Sequence, residues 1–150
     1  MPFDPKIAEA QIALNLISTT DLPKLAWDAL EVGLDGPAIR RLAALDWPTF
    51  FQIRDVLPTA MTEMHLAKIG EGEAALRLAK IRASEILRSN EDPLKHLRDF
   101  EQLWFQTDYC RELADYGNLD DEVYVARYMG QSEPEIRAWV LGRIKKLAQV

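Results

Sequence analysis

The sequence predicts an all-α protein, and three observations predict it. Apolar residues recur at helical spacing in most segments, prolines and glycines stand where such segments would start and stop, and no segment shows the alternation and β-branched enrichment of a half-buried strand. The chain has 150 residues, 48% hydrophobic and 28% charged, values of a folded chain rather than a disordered one. That length suits one domain able to bury roughly two-thirds of its unfolded surface. The expected architecture is a single helical domain over residues 1–150, a compact bundle of about six to eight unequal helices.

Ile7, Ala10, Leu14 and Ile17 mark a first amphipathic helix over about residues 5–18, with Pro5 in its first turn. A second runs from about Leu22 to Val32, with Asp21 as expected N-cap and Gly33 as its stop. Asp35-Gly36-Pro37 restarts a short helix through Ile39, Leu42 and Leu45. Asp46-Trp47-Pro48 starts another that contains Phe50, Phe51, Ile53, Val56 and Leu57. Pro58 predicts a break or kink, because it lacks the helical N–H and its ring crowds the preceding turn. Gly70 and Gly72 mark the next boundary.

The segment from Glu73 to Ser89 is apolar on more than one side, which predicts a central helix with neighbours on both flanks. Asn90 to Pro93 reads as a turn with Asp92 as N-cap. Leu94, Leu97, Phe100, Leu103 and Trp104 then form a helix fading near Gln106 to Tyr109. Gly117-Asn118 predicts a turn with one short helix on either side. A last helix from near Pro134 carries Ile136, Trp139, Val140, Ile144 and Leu147 on one face. The partial likeness of Ile39–Leu45 to Ala75–Ile81 is too short for a solenoid repeat.

The formal charge of -6 is unevenly distributed: Asn90 to Glu135 carries 12 acidic and 4 basic residues. A chain of this sign lacks the cationic field that phosphate backbones require, so nucleic acid is not expected as a partner. The two basic blocks, 76–89 and 136–150, follow helix starts rich in Glu, the arrangement that complements the helix dipole. Apolar runs end well before the roughly 20 residues a membrane helix needs, so no membrane span is expected. Met1–Lys6 lacks the pattern of an export signal, and Cys110 has no second cysteine to pair with, which together predict a cytoplasmic location.

Asp92 to Cys110 concentrates the chemistry-bearing residues. Asp92, His96 and Asp99 stand at i, i+4 and i+7, one helical face able to offer three metal ligands. Asp92 precedes Pro93, however, and is expected to be occupied as a cap, so no metal is predicted. Glu63 and His65 point about 200° apart on a helix and cannot share a site there. Cys110 stands some 20 Å from His96 along a continuous helix, too far for a thiolate–imidazole pair, and reads as a buried structural thiol. Gly33-Leu34-Asp35-Gly36 and Gly70-Glu71-Gly72 lack the basic or strand context of phosphate loops.

Aromatic placement is more informative. Trp104 and Phe105 lie about 100° apart on a helix, so one of them flanks the face that the other occupies. The bulk of the aromatics, with Phe50 and Trp139, are expected in the core. Beyond them lies an acidic stretch, Asp108, Glu112, Asp115, Asp120, Asp121 and Glu122, interleaved with Tyr109, Tyr116, Tyr124 and Tyr128. Aromatic anchors beside rim carboxylates suit the capture of a basic protein.

Two passages, Ala29–Ala43 (ALEVGLDGPAIRRLA) and Ile86–Pro93 (ILRSNEDP), resemble segments of uncharacterised all-helical bacterial proteins. The resemblance implies a bacterial helical protein and transfers no catalytic residue. The expected function is a non-catalytic protein–protein interaction module of the bacterial cytoplasm, of the adaptor or toxin-neutralising, immunity-like kind, without a cofactor. Its binding residues would be Trp104, Phe105, Asp108, Tyr109, Asp115, Asp120 and Asp121, facing a basic partner; association into a homo-oligomer is compatible with the sequence. The alternative is a small helical enzyme or ligand-binding protein with a polar pocket at His96 and Asp99.

Overall fold

The computed structural model describes residues 2–149, and among them the chain is helical from end to end, without a strand. Nine α-helical segments occur among the described residues: α1 (Pro5–Ala13), α2 (Leu22–Glu31), α3 (Pro37–Ala43), α4 (Phe50–Glu63), α5 (Glu71–Ser89), α6 (Leu97–Gln106), α7 (Ala114–Gly117), α8 (Leu119–Tyr128) and α9 (Glu133–Gln149). Short 3-10 turns, Pro93–His96 and Arg111–Leu113, precede α6 and α7. Contacts divide the chain into two units, Met1–Gly70 and Glu71–Val150. The division falls at the glycine pair that the sequence marks as a boundary.

Five helices stop in one way. After α1, α2, α4, α6 and α8 the chain turns through a left-handed residue: Asn15, Gly33, His65, Asp108 and Gly130. In each case the following N–H reaches back to close the last turn, as in Leu34 N to Ala29 O at 3.1 Å and Leu66 N to Met61 O at 2.9 Å. The left-handed residue re-aims the chain so that carbonyls orphaned at the helix end find donors. His65 is therefore a helix stop. Its neighbour Glu63 is engaged elsewhere.

In the first unit, Glu63 at the end of α4 caps α3. Both carboxylate oxygens accept from Ala38 N, at 2.7 and 3.0 Å. This places a negative charge at the positive end of α3 and supplies a free N–H with an acceptor. A Cβ on Gly36 would run into the Glu63 carboxylate, so a larger residue before Pro37 would push this cap aside. Asp35 receives Arg40 Nε at 2.8 Å, and this bond holds its carboxyl below the usual range. Beneath these contacts, Ile39, Leu42, Ile53, Val56, Ala60 and Met64 form the core with Ala26 and Ala29 of α2.

Three expectations for this unit are corrected. Of the break or kink expected at Pro58, the break does not occur: the helix continues from Phe50 to Glu63, so the unit tolerates one missing N–H within a well-packed helix. Asp21 makes no capping bond; its carboxylate accepts from Ser18 Oγ at 2.9 Å instead. Phe50 is exposed, not core. Thr49 and Gln52 form a capping box that starts α4 at Phe50, and Phe50 and Phe51 project from that first turn with Trp47 while Ile53 and Val56 turn inward.

In the second unit, α5 packs on α9 and touches the segments around both 3-10 turns, which accounts for its apolar character on more than one side. Phe100, Ile86, Leu97, Leu113, Leu119, Ile136, Ile144 and Leu147 are wholly buried. Each such side chain contributes roughly 1.5–3 kcal/mol relative to exposure. Asp92 is the cap that the sequence predicts, accepting from Leu94 N at 3.1 Å. Partial burial pushes its carboxyl up, but the Leu94 bond and Arg137, 3.4 Å away, outweigh this and leave it below the usual value.

Candidate functional site

The predicted residues cluster about the two ends of α6 and the start of α8. At the N-terminal end, His96 and Asp99 are brought together on Arg82 of α5. Arg82 Nε donates to Asp99 Oδ2 at 2.8 Å, and Nη1 to Glu85 at 3.1 Å. Arg82 Nη2 lies 3.0 Å from His96 Nδ1. A guanidinium only donates, so Nδ1 accepts and Nε2 carries the proton given to Glu91 Oε2 at 2.6 Å. His96 is half-buried, with both ring nitrogens engaged. The five side chains tie the end of α5 to the start of α6.

At the C-terminal end the side chains are aromatic. Trp104 is half-buried and lies flat against Gly117, where a Cβ would come within 2.5 Å of the indole. Its Nε1 donates to Cys110 O at 3.0 Å, fixing the loop that follows α6. Phe105 stacks beside Trp104 at 6.3 Å, and Tyr109 meets both rings edge-on at 5.0 and 5.2 Å. Phe105 and Tyr109 are 48% and 57% exposed, so half of each ring faces outward. The Trp104–Phe105 divergence expected from helix geometry is realised: one ring anchors, its neighbour projects.

Asp108 and Tyr109 are both left-handed, with φ of 54° and 59°. Two consecutive non-glycine residues in that region cost backbone energy, roughly 1–2 kcal/mol each, which the bonds Asp108 N to Phe105 O and Tyr109 N to Trp104 O offset. The result thrusts the Tyr109 ring back over Trp104. Cys110, expected to be buried, is half-buried, and it lies at the end of α6 opposite His96.

Of the acidic residues, Asp108, Asp115 and Asp121 are exposed and Asp120 is half-buried. Beside Asp115, burial pushes the Tyr116 phenol up and the Asp115 carboxylate adds to the shift, against the opposing pull of Arg143. Glu122 is paired with Arg143 at 3.4 Å. Asp120, Asp121 and Glu122 occupy the first turn of α8, where the helix dipole favours them.

One feature of this region was missed from the sequence. Helix α8 buries Leu119, Val123 and Ala126, while its opposite face exposes Tyr124, Val125, Tyr128 and Met129 at 72%, 56%, 83% and 74%. Between that face and α9 lies a cleft of about 660 Å³, lined by Val125, Ala126, Met129 and Trp139 with Asp121, Glu122 and Arg143. The signal was present as two i, i+4 pairs, Tyr124/Tyr128 and Val125/Met129, alongside the inward stripe. Trp139 is a half-buried cleft wall: its Nε1 donates to Gln131 Oε1 at 3.1 Å, and Arg143 stacks over its ring at 5.7 Å.

Among the described residues no group of three or more His, Cys, Asp and Glu side chains is arranged to hold a metal ion, and no helix is long and apolar enough to cross a membrane. No protein family, curated protein or solved structure matches the chain.

Proposed function

We propose that the protein is a non-catalytic helical interaction module that binds a basic protein surface through its second unit, an adaptor or a toxin-neutralising partner of a bacterial cytoplasm. The bacterial setting rests on the sequence resemblance and the cytoplasmic one on the lone Cys110. The observation that supports the binding role is the outward-facing pair Phe105 and Tyr109, seated on Trp104 and followed by exposed Asp108, Asp115 and Asp121. Rigid aromatic rings lose little entropy on binding, and carboxylates around them steer a cation-rich partner. The His96 end lends itself less to chemistry, because its ring nitrogens are already bonded to Arg82 and Glu91.

The test is affinity purification of the chain with what binds it, followed by association kinetics with any basic protein so recovered. Asp115→Lys with Asp121→Lys, and Asp120→Asn at the half-buried position, should slow association about tenfold or more at low salt and flatten its salt dependence. Association that is unchanged in rate and in salt response would remove this reading.

A further inference from the structure

We infer that the cleft between α8 and α9 is the seat for an amphipathic helix of the partner, one that carries apolar residues on one face and lysine or arginine along its edge. The inference rests on the proposed binding of a basic protein and assigns the surface and the shape of what binds. Three observations lead to it.

The exposed face of α8 is continuous. Tyr124, Val125, Tyr128 and Met129 follow each other at i, i+1, i+4 and i+5, so they form one stripe two residues wide. Val125 and Met129 of that stripe line the cleft with Trp139 of α9, and an indole beside a flexible thioether is a pair that anchors and adapts at recognition surfaces. Asn118 to Met129, which bound the cleft along α8, span about 16 Å at the helical rise, room for about three turns of a second helix. The surface offers no strand edge to extend, since the second unit has no strand among the described residues. A helix laid in a groove is a mode that such a length and an apolar lining suit.

Charge selects the occupant. Of the charged residues on the cleft wall, Arg143 is matched by Glu122 at 3.4 Å and lies over Trp139. Asp121 is left facing outward at the rim, with Asp120 beside it. The cleft thus has an apolar floor and a net negative edge. A helix with a basic flank is attracted there and an acidic one repelled.

The probe is a synthetic helix of roughly 18 residues built from Leu and Lys, with Leu at helical spacing, compared with a peptide of the same composition in scrambled order. Calorimetric titration of the full chain should show the patterned peptide binding at least about tenfold tighter than the scrambled one. Val125→Thr with Met129→Gln, which removes apolar surface without adding charge, should reduce its affinity by about tenfold or more, with unchanged circular dichroism, because both side chains are exposed. Trp47→Gln, which removes an exposed aromatic from the first unit, should leave affinity unchanged. Equal binding of both peptides would overturn the cleft assignment and leave the basic-partner reading standing. Undiminished binding to the double variant would also overturn it, as would binding of neither peptide; the basic-partner reading stands or falls separately, on the association kinetics above.

Discussion

The two ends of α6, a helix of ten residues, use their side chains in opposite ways. At the N-terminal end, His96, Arg82, Glu91, Asp99 and Glu85 spend their polar atoms on one another. At the C-terminal end, Trp104 is pinned beneath Phe105 and Tyr109, both of which are exposed. The end richest in reactive groups is thus the more closed, and the end that looks like packing is the more open. A histidine among carboxylates invites a chemical reading, yet an arginine in its midst converts the cluster into a fastening. Aromatics at helical spacing invite a core reading, yet a left-handed turn can lift them out of the core.

The largest way to break this contrast is at Gly117. Trp104 can hold the aromatic edge only because nothing projects from that glycine. Gly117→Ala should destabilise the protein by about 1–3 kcal/mol in urea unfolding, because the indole must shift against its bond to Cys110 O. It should also raise the exposure of Trp104, read as a red shift of tryptophan emission. Gly142, where a Cβ meets nothing within 4 Å, provides the control: Gly142→Ala should be neutral or stabilise α9 by about 0.5–1 kcal/mol. Equal effects at the two glycines would show that Trp104 is not seated as described.

A smaller effect is expected at the closed end. Arg82→Met removes the donor shared by Asp99, Glu85 and His96 while keeping most of the stem. Arg82 is more than a third exposed, so solvent screening limits the loss to about 1 kcal/mol. Pairing it with Asp99→Asn should give less than the sum of the two single changes, since both break one network. Additive losses would mean that the five side chains are neighbours without being coupled.

Much of the fold was legible because it rests on local chemistry. Gly33, Pro37, Asp92 with Pro93, and Gly117-Asn118 each act within one turn of the chain, and the helix boundaries they predict are close to those found. What was not legible depends on partners distant in sequence. Glu63 looks like half of a failed metal pair until α3 is placed under it, 25 residues upstream. Arg82 likewise reaches His96 and Asp99 from α5, 14 and 17 residues upstream, which no local pattern shows. At Pro58 the local cost is real, yet the helix runs on without a break, with Ile53, Val56 and Ala60 buried along it. Phe50 and Tyr124 show the same gap, since spacing says which residues share a face and not whether a neighbour covers it.

The smallest expected effect tests why the open end is open. Helices α2 and α8 stop at Gly33 and Gly130, whereas α6 stops at Asp108 in the same left-handed conformation. Glycine adopts that region freely and aspartate does so at some expense, so Asp108→Gly should stabilise the fold by about 0.5–1 kcal/mol. If Asp108 contributes to steering a basic partner, the same substitution should slow capture at low salt while the protein becomes harder to unfold. Urea unfolding and association kinetics on one preparation separate the two effects. A gain in stability with unchanged capture would assign Asp108 to the turn alone; a loss of stability would mean that its side chain, and not its backbone conformation, holds the end of α6.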